Sequence, residues 1–212
     1  MVGRKPGQRS KERGSVKRSA SGMSAVISGG LPNGWACGGN RVAWCRASRA
    51  SVQDVPVVAV LVGLQASGKT TFCRDVLGER YVQVSKDHFP NARNRQQRQL
   101  RLVRAALAAG RDVVIDNTNP SPAEWQPLIE TARECGAGVV AYWFPPDLTG
   151  SLARNAARAG RARVPEIGVM STVSRLRQPG TADGFDGVLT VHSDGSGGFE
   201  VSPCPVEVPG GC

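Results

Sequence analysis

Val57 to Phe72, VVAVLVGLQASGKTTF, limits the folds open to this 212-residue chain more than any other stretch. An apolar run is followed by Gly63-Leu64-Gln65-Ala66-Ser67-Gly68-Lys69-Thr70 and then by a segment that can start a helix. Strand, loop and helix in that order give G-x-x-x-x-G-K-T the context it needs to act as a phosphate cradle. Glycine at 63 and 68 removes Cβ where the backbone must turn tightly and approach an anion. The loop amides, from Gly63 through Ala66, Ser67 and Gly68 to Thr71, converge on such a group, and the helix N-terminus adds partial positive charge. Lys69 reaches the outer phosphate oxygens. Thr70 offers a hydroxyl to Mg2+, which takes oxygen ligands in octahedral geometry. The stretch implies a site for a nucleoside triphosphate such as ATP.

The segments that follow alternate strand and helix. Val55 to Val62 is apolar throughout, as expected of a strand buried on both faces of a parallel sheet. Thr70 to Leu77 reads as a helix ended by Gly78. Strands are expected at Tyr81–Val84, Asp112–Asp116, Gly138–Phe144 and Asp186–His192. The intervening helices are Arg93–Ala109, Ala123–Cys135, Asp147–Ala159 and a last one opened by Pro165 at its first position and running to Arg177. Leu100, Val103 and Leu107 lie on one face of the Arg93–Ala109 helix, at spacings of three and four. This alternation predicts an α/β, doubly wound, mainly parallel five-stranded sheet with a helical lid. Ligands bind such sheets at the carboxyl ends of the strands, which gathers the loop, Asp87 and Asp116 at one edge.

Three regions result: 1–53, basic and Gly/Ser-rich, expected to be disordered; 54–192, the nucleotide-binding domain; and 193–212, a Gly/Pro-rich tail with a candidate edge strand at Gly198–Val201. Charge follows this division. Residues 1–50 hold ten Lys/Arg and one acid (Glu12), whereas the other 162 residues hold seventeen Lys/Arg and sixteen acids. The net charge of +10 therefore belongs almost wholly to the N-terminal region, and whole-chain basicity says little about the domain. Residues 1–24 have too little apolar surface to offset ordering entropy. They are either an arm for nucleic acid or a solubilising tail, in part upstream of a later start at Met23, and the second reading is favoured. No run approaches the ~20 apolar residues a membrane span needs. The basic first twenty residues lack the apolar core of a secretory signal. The six cysteines form no C-x-x-C pair, and His88 and His192 lie far apart. Free thiols of a cytoplasmic protein are expected rather than a zinc site.

Phosphoryl transfer needs positioning and charge neutralisation more than covalent chemistry. Asp87, just after the second strand, is the candidate general base for an acceptor hydroxyl; otherwise it is a turn former. Asp116, at the end of an apolar strand, can hold a magnesium-bound water or the acceptor; otherwise it caps the strand. Arg154, Arg158, Arg161 and Arg163 flank a Gly-containing loop between two helices. They suit a lid that brings arginine to the transferring phosphate, with Arg158 the first choice. His88 is read as a surface or core histidine. Arg93, Arg95, Arg98, Arg101 and Arg104 either line a groove for an anionic acceptor or form a solvated face.

Taken in order, GLQASGKTT (63–71), Ser85-Lys86-Asp87, VIDNTN (114–119), Arg154-Asn155-Ala156-Ala157-Arg158, Val164-Pro165-Glu166 and Asp183-Gly184-Phe185 resemble the kinase domain of polynucleotide kinases, which phosphorylate 5′-hydroxyl ends. The likeness covers roughly residues 55–192, and VIDNTN with the R-N-x-x-R segment is its more specific part. It implies ATP and magnesium at Lys69 and Thr70, Asp87 as general base, Asp116 on the acceptor side, and Arg154 and Arg158 in a phosphate-binding lid. Two departures stand out. Asp186-Gly187-Val188 lacks the second carboxylate of the D-x-D pattern of a companion phosphatase domain, for which the chain has no room, and Asp183 stands where many relatives carry Glu.

The leading expectation is an ATP-dependent kinase acting on a hydroxyl, with a polynucleotide 5′-end as one acceptor. Alternatives are a kinase for a small metabolite, sugar or antibiotic, and a switch protein that binds and hydrolyses ATP with no acceptor. The oligomeric state is not legible.

Overall fold

The computed structural model describes residues 26–27, 35–37, 44–46 and 55–204. Among them lie nine strands: β1 (Val26–Ile27), β2 (Trp35–Cys37), β3 (Trp44–Arg46), β4 (Val57–Val62), β5 (Tyr81–Val84), β6 (Asp112–Ile115), β7 (Gly138–Trp143), β8 (Gly187–Ser193) and β9 (Phe199–Pro203). The helices are α1 (Lys69–Phe72), α2 (Arg95–Ala108), α3 (Pro122–Glu134), α4 (Leu148–Ala156) and α5 (Glu166–Val173). Strands β2 and β3 form a separate antiparallel pair, and the other seven make one sheet in the order β1-β9-β8-β7-β4-β6-β5.

The α/β, mainly parallel sheet is as expected; β9 forms where a candidate edge strand was placed at Gly198–Val201, and β1, which no reading anticipated, pairs outside it so that β9 is not the edge. Parallel pairing links β5, β6, β4, β7 and β8 in turn, whereas β9 runs antiparallel to β8 and β1 parallel to β9. Residues 199–203 thus belong to the sheet, past the domain boundary placed at 192. The strands at 26–27, 35–37 and 44–46 lie within the region expected to lack order. The readings made for residues 1–24 fall outside the described residues.

Strand pleating explains the two-sided core. Side chains alternate along β4, so Val58, Val60 and Val62 enter one cluster and Ala59 and Leu61 the other, all fully buried. Helices α2 and α3 cover the first face with Val103, Leu107, Trp125 and Leu128. The second is covered by Phe72, Cys73 and Leu77 together with Phe199 and Val201 of β9. The helix expected over Thr70–Leu77 is α-helical only to Phe72 and continues as a π-helical turn, Cys73–Leu77. In α geometry residues five apart point about 140° away from each other. The wider turn brings Phe72 and Leu77 toward the same core.

The remaining helices match in place, α2, α4 and α5 being shorter at their ends and α3 shifted by one residue, and Pro165 stands as the N-cap of α5 rather than inside its first turn. Among the described residues no helix is long and apolar enough to cross a membrane. The chain passes from β4 to the outer β5, returns to β6, and crosses to β7 on the opposite side of β4. Connections therefore diverge at the carboxyl end of β4, where the glycine loop stands.

Candidate active site

The loop after β4 is shaped by contacts that exclude side chains. A Cβ on Gly63 would lie 2.8 Å from Phe144 Cβ and 3.0 Å from the Phe144 carbonyl oxygen. Gly68 has φ 95°, and a Cβ there would meet the Phe199 ring at 3.2 Å. Ala66 also has positive φ, at 57°, a conformation unfavourable for an L-residue by about 1–2 kcal/mol. Two bonds hold the loop in this form. The Gly63 amide donates to the Thr118 carbonyl (3.0 Å). Arg154 Nε, from α4, donates to the Ala66 carbonyl (2.7 Å).

Lys69 opens α1 and is 7 % exposed. Its ammonium donates to the Gly63 carbonyl (3.1 Å), the Leu64 carbonyl and Ser67 Oγ (3.1 Å). Burial lowers its pKa to about 8; the nearby Asp116 carboxylate opposes that shift and Arg158 adds to it. Thr70 Oγ1 donates to Asp116 Oδ2 (2.8 Å), and Gln83 Nε2 from β5 donates to the same oxygen (2.7 Å). Asp116 is 7 % exposed, and among the described residues nothing donates to its Oδ1. A threonine hydroxyl and a carboxylate so joined form a hard-oxygen donor pair that fits Mg2+, a cation that takes one or two protein ligands and otherwise phosphate and water. No cluster of three His, Cys, Asp or Glu suited to a metal occurs among the described residues. Beneath the site, burial and then Asp116 push the Cys73 thiol up to about 11, so it stays protonated. Cys73, Cys135 and Cys204 are all free.

Asp87 lies on a 3-10 turn, Lys86–His88, at the carboxyl end of β5. The pairing Val84↔Ile115 and a bond from the Asp116 amide to the Val84 carbonyl (3.0 Å) bring this turn beside Asp116. The Asp87 amide donates to Ser85 Oγ (3.3 Å), while its carboxylate is exposed and accepts no hydrogen bond among the described residues. Its neighbour Lys86 is half-buried; burial lowers its pKa, Glu124 opposes the shift and Arg95 adds to it.

The lid arginines divide. Arg154 is committed to the loop and to Asp147 (3.2 Å). Arg158 makes one long contact, to the Ala162 carbonyl (3.5 Å), and lies near enough to Lys69 to act on its charge. Arg163 is exposed, and Arg161 belongs to the 3-10 turn Gly160–Ala162. Asn155, named in R-N-x-x-R without a role of its own, is 2 % exposed and joins the two ends of the loop that carries Arg158, Arg161 and Arg163. Its Nδ2 donates to the Val164 carbonyl (2.7 Å), and its Oδ1 accepts from the Val164 amide (3.0 Å). Gln65 Nε2 donates to Thr172 Oγ1 (2.7 Å), tying α5 to the loop. The arginines of α2 divide as well: Arg98 stacks over Phe89 at 5.3 Å and Arg104 pairs with Glu134 at 2.8 Å, while Arg93, Arg95 and Arg101 stay exposed. Gln83 lies in no motif, and Asn155 and Gln65 stand inside R-N-x-x-R and GLQASGKTT without a partner that spacing reveals, because an amide's partner is set by folding.

Residues 58–179 match a family model described as an AAA domain. Among solved structures, a fungal RNA kinase superposes with a TM-score of 0.52 at 18% identity, over 65% of this chain and 74% of that one. The AvrRxo1-ORF1:AvrRxo1-ORF2 complex with sulphate ions gives 0.52 at 17% identity, over 69% of this chain and 57% of that one. At such identities the likeness is one of fold.

Proposed function

The chain belongs to the AAA domain family, and from that premise we propose that it moves the γ-phosphate of ATP to a hydroxyl group, the acceptor being a polynucleotide 5′-end. One observation carries the reading: the Thr70–Asp116 pair at the base of the loop stands beside a turn whose Asp87 carboxylate has no partner of its own. Thr70 and Asp116 would hold Mg2+, which would neutralise phosphate charge there. Lys69 leaves the loop carbonyls for the β- and γ-oxygens, and Arg158 supplies the second positive charge over the group in transfer. Asp87 takes the proton of the acceptor hydroxyl as that oxygen bonds to the γ-phosphorus. The bond from phosphorus to the β–γ bridging oxygen breaks, and ADP leaves. The nucleic-acid acceptor rests on the VIDNTN and R-N-x-x-R resemblance and on the shared fold with an RNA kinase.

Labelled ATP offered against 5′-hydroxyl RNA, 5′-hydroxyl DNA, nucleosides and sugars tests both halves. Label on an oligonucleotide 5′-end is the expected result, and label only on a sugar or other small molecule replaces the acceptor. Release of label as free phosphate with every acceptor overturns the kinase reading. Asp87→Asn should cut labelling by roughly 10²–10⁴-fold with nucleotide affinity unchanged.

A further inference from the structure

Two amide side chains connect the Asp87 turn to the strand end that carries Asp116. The Lys86 amide donates to Asn117 Oδ1 (2.9 Å). Asn117 Nδ2 in turn donates to Gln99 Oε1 on α2 (2.9 Å). Gln99 is fully buried, and its Nε2 has no hydrogen-bond partner in the structure. An unpaired buried amide costs about 1–3 kcal/mol. A leucine at this core position of α2, in line with Val103 and Leu107, would avoid that cost. The glutamine therefore calls for a role that packing alone does not supply.

We infer that Asn117 and Gln99 form a clamp that sets the aim of Asp87 relative to the Thr70–Asp116 pair. This inference rests on the kinase reading above. The clamp works because Asn117 directly follows Asp116 in the chain. The backbone that places the metal-binding carboxylate also places the amide oxygen that fixes the Lys86 N–H. Gln99 in turn fixes the rotation of that amide by accepting from its Nδ2. Without Gln99, Asn117 can turn its NH2 toward the Lys86 amide, and the turn loses its anchor. Asn117 and Gln99 are positioning residues; neither is placed to touch the reacting atoms.

The test uses the full chain and two readouts. In Asn117→Leu and Gln99→Leu, hydrogen exchange at the Lys86 amide should speed up. The kcat for acceptor labelling should fall roughly 10- to 100-fold while the KM for ATP stays within about two-fold. Asn117→Asp keeps an acceptor for the Lys86 amide, and Gln99 can rotate to donate to it, so this variant should recover most of kcat. The double leucine variant should lose little more than either single one, since both remove the same clamp. Faster Lys86 exchange with unchanged kcat overturns the inference, as does a fall in nucleotide affinity that matches the fall in kcat. If the wild-type chain labels no acceptor, the kinase reading fails and takes the inference with it. If the wild type labels and both leucine variants label equally well, the clamp alone is wrong.

Discussion

Lys69 spends its three donor bonds on its own loop, at 3.1 Å from Gly63, on Leu64, and at 3.1 Å from Ser67. Carbonyls and a hydroxyl partner a buried ammonium less well than water or phosphate do, so its pKa falls to about 8. The ordinary value is 10.5, so between about 8 and 10.5 the unfolded chain holds more proton than the folded one. Folded stability attributable to Lys69 rises with pH through that window, and the penalty is fully present below about 8. Denaturant titrations from about pH 8 to 10 should show a stabilisation in the wild type that shrinks in Lys69→Met. A bound triphosphate supplies the missing anionic partner and raises the pKa again. ATP binding near pH 9 should therefore take up a proton, visible as a dependence of calorimetric enthalpy on buffer ionisation, with little uptake at pH 7.

At the scale of elements, α4 and α5 flank the arginine-bearing turn proposed as a lid, and Asn155 joins the two ends of that turn. Asn155 reads both backbone groups of Val164 across nine residues. Replacing it with alanine leaves a donor and an acceptor unpaired, each worth about 1–3 kcal/mol where burial persists. The lid should loosen while the sheet stays intact. Hydrogen exchange in Asn155→Ala should accelerate across residues 157–164 and remain unchanged in β4 and β7. ATP affinity should drop as Arg158 loses its fixed position. Arg154 marks a limit of sequence reasoning at this scale. The sequence puts Arg158 first but still offers Arg154 to phosphate, whereas folding turns Arg154 onto the Ala66 carbonyl and leaves Arg158 near enough to act on the Lys69 charge. Spacing along a helix tells which residues share a face, but not which partner each one finds there.

Across the whole molecule, the sheet extends beyond the segment the family model matches. That match ends at residue 179, but β8 and β9 continue the sheet to Pro203. Phe199 of β9 packs its ring 5.3 Å from Phe72 and against the position where Gly68 lacks a side chain. The floor of the phosphate loop is thus built in part by a strand more than 130 residues downstream. Phe199→Ala should destabilise the fold by about 3–5 kcal/mol and also weaken ATP binding, because Gly68 loses its support. Unfolding in urea and nucleotide titration under native conditions measure the two effects separately. A loss of stability with unchanged nucleotide affinity would show that the ring fills the core without shaping the loop.

The chain's own order of residues determined the parallel strands, the helices between them and the site edge, since all of these follow from local period and turn chemistry. GLQASGKT announces a phosphate cradle because its glycines and lysine act within a few residues of one another. Tertiary structure decided which oxygen Thr70 reaches, that Arg154 turns to the Ala66 carbonyl, and that Phe199 of the strand expected near Gly198–Val201 packs against Gly68. Each of these is a pairing over tens of residues, made by neighbours in space. An amide such as Gln83 or Gln99 has no preferred partner until packing presents one.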